Sequence, residues 1–163
     1  MQQAMPHNDY AELNAIGCLL EGYQPEYILA ELGADDFYSS ANKVIFAAAR
    51  EVAAAGAPVG LFTVADRLRA DGNLERVGGE SYLHRCANSV VSTTQADGAV
   101  WGVRDAALLR GGFNAVTRAA REFATPGQNA AELLGTLQSE LLKIARRHRD
   151  NSAVAGKELI QNT

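Results

Sequence analysis

Three glycine-containing strings could cradle a phosphate: "VGGES" at 77–81, "RGGF" at 110–113 and "AVAGKE" at 153–158. Such a cradle needs backbone N–H groups converging where a glycine-rich turn enters a helix. "VGGES" lacks the spaced third glycine of a dinucleotide fingerprint and follows no strand pattern. In "AVAGKE", Asn151 occupies the first glycine position of a P-loop, and Glu158 stands where the Mg²⁺-binding Ser or Thr belongs. "RGGF" falls inside a helical pattern. All three read as turn, linker or helix packing, so no nucleotide or other cofactor is expected.

The remaining chemistry-bearing residues form no constellation either. His7, His84 and His148 are far apart and lack Cys or carboxylate partners at metal-ligand spacing. Asp35 and Asp36 are adjacent in a turn pattern, where side chains point apart and cap helices rather than act as a catalytic pair. Cys18 and Cys86 sit within apolar patterns and read as buried free thiols of a reducing compartment. No catalytic and no metal-binding residue is therefore expected. One dense basic cluster stands out, "KIARRHR" at 143–149, with Lys143, Arg146, Arg147 and Arg149. Cations at a helix C-terminus interact favourably with the macrodipole, which accounts for it without a ligand. The functional alternative is a patch for DNA or an acidic partner.

The elements that must position these residues are helical. The chain has 163 residues, 47% hydrophobic and 21% charged, with a net charge of −4. These are values of a globular domain, and the acidic balance argues against a module that tracks nucleic-acid phosphates. No apolar run approaches the ~20 residues of a membrane span. A cytoplasmic protein with no membrane contact is expected. Alanine is abundant and β-branched residues never alternate, so the predicted fold class is all-α.

Short helices are expected through the first half. Asp9 caps the first, with Glu12 reaching back to it, and Leu13, Ile16 and Leu20 share a face. Pro25 opens the second. The turn before the third is anchored by Phe37, and Ile45, Ala48, Ala49 and Val52 form that helix's inner stripe. Thr63 with Asp66 caps a fourth after an extended "APVGLF" connector, and Glu80–Asn88 form a fifth. Gly78 and Gly79 make the turn before it, with Tyr82 and Leu83 as core anchors just beyond.

The second half predicts two long helices. In the first, from about Gln95 to Phe123, Leu109, Phe113, Val116, Ala120 and Phe123 recur at four- and three-residue steps. "TPGQN" breaks the pattern, and a second helix runs to about Arg149 with Ala130, Leu134, Leu137, Leu141 and Ile144 at the same steps. Interior Gly102, Gly111 and Gly112 each cost about 1 kcal/mol relative to alanine, tolerable where a neighbouring helix packs close. The expected organisation is a compact bundle over 1–94, a helical hairpin over 95–149 and the start of a linker over 150–163. The linker ends as another helical pattern begins, as in a chain cut short or completed by a partner. Leu108, Leu133, Leu142 and Trp101 are left for flanking faces, which small bundles cover by oligomerising or docking partners. The residues alone thus reach an all-α interaction domain.

Several ordered strings resemble the N-terminal domain of the replicative DNA helicase family called DnaB. "PHNDYAELNAIGCLLEG" resembles its opening segment. The run 32–83 resembles its next block, including the Asp-Phe-Tyr turn (Phe37, Tyr38), the Ile-Phe helix, the Gly-x-Pro-Val turn and the Val-Gly-Gly-x-x-Tyr-Leu string (Gly78, Gly79, Tyr82, Leu83). "VRDAALLRGGFNAV" and "LLGTLQSELLKIARRHRD" resemble the two hairpin helices, and the tail resembles the segment leading to the ATPase domain. The chain departs from the pattern at Ala41 or Asn42, where the family often has His, at Gly60, where it has Asp, and in "SVVSTTQADGAVWG", as a distant member would.

The resemblance implies a non-catalytic domain that pairs through its hairpin, with three pairs forming a collar on a hexameric ring whose ATPase domains unwind DNA. It implies primase and a helicase loader as partners, with DNA engaged only indirectly through the parent ring. By the resemblance, Leu109, Phe113, Val116, Leu134, Leu137, Leu141 and Ile144 carry the hairpin and its pairing; the sequence does not sort those holding it internally from those facing a partner. A helicase-binding domain of a primase, which shares a bundle-plus-hairpin architecture, and a DNA-binding replication accessory protein using the basic cluster are the alternatives.

Overall fold

The computed structural model describes residues 5–92 and 94–161, with side chains through Arg146. The fold is all-helical: α1 (Asp9–Leu20), α2 (Pro25–Glu31), α3 (Ser40–Ala54), α4 (Leu61–Ala70), α5 (Gly79–Ala87), α6 (Gln95–Phe123) and α7 (Ala130–Gln161), with single 3₁₀ turns at Ala34–Asp36 and Glu75–Val77. The chain divides into two compact units, one of His7–Ala107 and one of Met1–Pro6 with Leu108–Thr163. The division falls inside α6 rather than at the loop before it, because Ala96, Ala99, Val100 and Val103 belong to the core of the bundle. The second long helix continues to Gln161, beyond the stop expected near Arg149.

In the bundle, α1 is almost wholly buried and lies against α5. Gly17 permits that approach: a Cβ there would stand 2.3 Å from the Cys86 carbonyl oxygen. Gly102 does the same for α6, where a Cβ would fall 2.6 Å from Ala11 Cβ, so the cost of a helical glycine is offset by close packing. Phe37 and Phe46, both fully buried, meet at 5.1 Å between ring centroids. Ile45, Ala48, Ala49 and Val52 are buried, as the α3 stripe predicts.

The caps differ from expectation in an informative way. Asn8, not Asp9, caps α1, its Oδ1 accepting from the Ala11 N–H at 3.0 Å. Glu12 does not fold back to that cap. It is 2% exposed and crosses to the turn before α3, where Oε1 accepts from the Tyr38 N–H at 2.5 Å and Oε2 accepts from the Ser39 N–H at 3.1 Å and Asn42 Nδ2 at 3.0 Å. A buried carboxyl group is tolerable because donors surround it. The α4 helix starts at Leu61, inside the expected connector, with Gly60 at its cap and Thr63 Oγ1 accepting from the Gly60 N–H. Arg50 donates to the Leu29 and Leu32 carbonyls at the end of α2.

The "VGGES" string is a helix-to-helix turn. Gly78 has φ +104° and Gly79 φ +68°, the left-handed region that favours glycine. Leu83 is fully buried, and the half-buried Tyr82 donates its hydroxyl to Asn42 Oδ1 at 2.8 Å. Tyr82 thereby shares Asn42 with Glu12, tying α1, α3 and α5 in one polar network.

Candidate interaction surface

Within the second unit the hairpin is built from its turn outward. Gly127 at φ +84° and the Asn129 cap, whose Oδ1 accepts from the Ala131 and Glu132 N–H groups, reverse the chain between α6 and α7. Two contacts fix the helices as antiparallel: Arg118 pairs with Glu140, and Ile144 packs 3.5 Å from where a Gly111 Cβ would stand. Gly111, Ala115 and Ala119 recur every four residues, and the two alanines are buried. This small-residue stripe is the inner seam of α6. Gly112 has open space around it.

The apolar stripe read from the sequence lies elsewhere. Leu109, Phe113, Val116 and Phe123 are 57, 38, 53 and 43% exposed. On α7, Leu137 and Ile144 are half-buried and so turn toward the seam, whereas Leu134 and Leu141 are 58 and 38% exposed. The structure thus separates two residues that close the hairpin from five that do not. At about 100° per residue, the exposed stripe of α6 is rotated about 110° from its seam and that of α7 about 60°, in the same sense along each chain direction. Since the helices are antiparallel, both stripes emerge on one side of the hairpin. The small seam was legible as a Gly/Ala period of four, a weaker signal than large apolar residues.

Phe37, Gly78, Gly79, Tyr82 and Leu83 belong to the bundle. Tyr38 is exposed there and stacks on His7 at 4.6 Å between centroids. Lys143 and Arg146 are exposed on α7, while the side chains of Arg147 and Arg149 lie outside the described residues. Because α7 continues to Gln161, this cluster is not in the last helical turn, and the macrodipole account of it no longer applies.

Among the described residues, the titratable groups with clear shifts are all in the bundle. Burial pushes the Cys86 thiol up to about 11 and raises Cys18. Tyr27 is pushed up to about 12, first by burial, then by the negative charges of Asp97 and Glu31 and a hydrogen bond to Asp97. Nearby, Arg104 of α6 and Glu31 of α2 form a buried ion pair at 2.7 Å. Among the described residues no three His, Cys, Asp or Glu side chains converge as a metal site, and no helix is long and apolar enough to cross a membrane.

Comparison with known proteins matches residues 4–105 to the family described as DnaB-like helicase N-terminal domain. Over 146 residues the chain is 27% identical to the replicative DNA helicase DnaB of Buchnera aphidicola, covering 88% of this chain and 32% of that protein. Over 162 residues it is 29% identical to the DnaB of Mycobacterium leprae, covering 97% of this chain and 27% of that protein. The chain therefore spans less than a third of the length of these relatives. Among solved structures, the N-terminal domain of DnaB helicase from Mycobacterium tuberculosis superposes with a TM-score of 0.75 at 28% identity, covering 86% of this chain and 99% of that one. The relatives and this structure extend the match into the hairpin, past the end of the family model.

Proposed function

Because the chain belongs to the DnaB-like helicase N-terminal domain family, we propose that it is the non-catalytic collar domain of a cytoplasmic replicative DNA helicase and works by pairing through its hairpin. The observation that supports pairing is the shared apolar side of α6 and α7, where Leu109, Phe113, Val116, Leu134 and Leu141 remain exposed while small residues close the hairpin. A second copy would cover it. In the parent, three such pairs would form a collar on a hexameric ring, and ATP-driven unwinding would belong to the rest of that protein. Docking of primase or of a helicase loader is the further role this reading assigns to the collar. The relatives named above are helicases, which favours this reading over a primase domain.

Sedimentation equilibrium tests the pairing. Fully burying a Phe or Val side chain is worth about 1.5–3 kcal/mol, and about 1.4 kcal/mol is tenfold in affinity. The chain should associate with rising concentration, and Phe113→Ser with Val116→Ser should weaken that association about tenfold or more while leaving the helical circular dichroism unchanged. A strict monomer at high concentration, or unaltered association of the double variant, would overturn the reading.

A further inference from the structure

The bundle carries a second exposed feature that hairpin pairing does not use. Phe62, in the first turn of α4, is 80% exposed. It borders a groove between α4 and α5 lined by Leu61, Ala65, Leu83 and His84. The groove holds about 70 Å³, room for one side chain rather than a small-molecule ligand, whose pockets run to about 300–1,000 Å³. Its rim is charged in a definite way. Asp66 and Arg69 follow Phe62 at i+4 and i+7 on the same helical face, and Arg69 bonds both Asp66 and Glu80 at 2.5 Å. One guanidinium shared by two carboxylates leaves a net negative rim. The unit around it has the same sign: His7–Ala107 contains seven Lys and Arg against fourteen Asp and Glu, a net −7. The second unit, with eight against five, is +3.

We propose that the α4–α5 groove is a docking site for a basic amphipathic helix of a protein partner, which inserts one apolar side chain beside Phe62 and sets Lys or Arg against Asp66 and Glu80. The charge complementarity selects the occupant. A negatively charged rim repels an acidic peptide or nucleic acid, and a groove the size of one side chain suits the anchor-in-pocket mode of helix recognition. The site is built from bundle residues alone and shares none with the hairpin stripe, so its test is independent of pairing.

The probe is a fluorescein-labelled amphipathic Leu–Lys helical peptide, read by anisotropy and by amide chemical-shift mapping of the whole chain, with a Leu–Glu peptide of the same pattern as control. The Leu–Lys probe should bind saturably and shift amides of Leu61–Arg69 and of α5, the Leu–Glu probe should not bind, and added salt should weaken binding. Phe62→Ser, at a solvent-facing position that leaves the fold intact, should weaken binding about tenfold, and Asp66→Lys with Glu80→Lys should weaken it at least as much. Absence of binding, equal binding by the Phe62→Ser variant, equal binding of the Leu–Glu peptide, or shifts centred outside α4 and α5 would each overturn the proposal. Sedimentation of the Phe62→Ser variant separates this outcome from hairpin pairing, which the substitution should leave unchanged.

Discussion

At the scale of single residues, Glu12 and Tyr27 show how far position outweighs residue type. Glu12 is a buried acceptor for two backbone N–H groups and the Asn42 amide. Glu12→Ala leaves those donors without a partner in a closed site, and an unsatisfied buried donor costs about 1–3 kcal/mol. The variant should lose about 3 kcal/mol in urea unfolding, whereas Glu12 serving only as a helix cap would cost about 1 kcal/mol. Tyr27 gives a pH-dependent effect. Its hydroxyl rises from an ordinary 10 to about 12 in the fold, so the fold favours the protonated phenol. The stability this contributes is complete below pH 10 and is lost as pH climbs from 10 toward 12. Tyr27→Phe should therefore lose less stability than the parent chain over that window, seen as a shallower fall of the urea midpoint with pH. Equal slopes would remove Tyr27 from the account.

At the scale of elements, the hairpin turns on which stripe of α6 meets α7. Large apolar residues are the stronger periodic signal, yet small ones form the seam, because Gly111, Ala115 and Ala119 let the helix axes approach while larger side chains would hold them apart. Ala119→Leu should overpack this seam and cost about 1–3 kcal/mol. Leu109→Ala, on the exposed stripe, should change monomer unfolding by less than about 0.5 kcal/mol. Urea denaturation at a concentration too low for association distinguishes the two, and the reverse order of effects would put the large stripe at the seam. The Arg118–Glu140 pair on the hairpin surface adds little, since exposed ion pairs contribute about 0–1 kcal/mol.

At the scale of the whole molecule, helix number and order, the core stripe of α3, the glycine turn at 78–79 and the long α6 were legible because each rests on local physics. Alanine-rich periodicity, turn glycines and proline placement act within a few residues, and the ordered strings shared with the DnaB N-terminal domain carried the family as well. Tertiary structure decided what depends on partners distant in the chain. Glu12 looked like a local cap because Ser39 and Asn42, about thirty residues away, could not be seen as its donors. The unit boundary fell at 107/108 rather than 94/95 because α6 is one unbroken helix whose first turns are claimed by the bundle core. The groove beside Phe62 needed α5 to be brought against α4. Which segments are helical and which residues are apolar follow from residue type and spacing along the chain. Only the packed structure decided which apolar residues close a seam and which remain for a partner, because burial is set by the neighbouring helix and not by the residue's own periodicity.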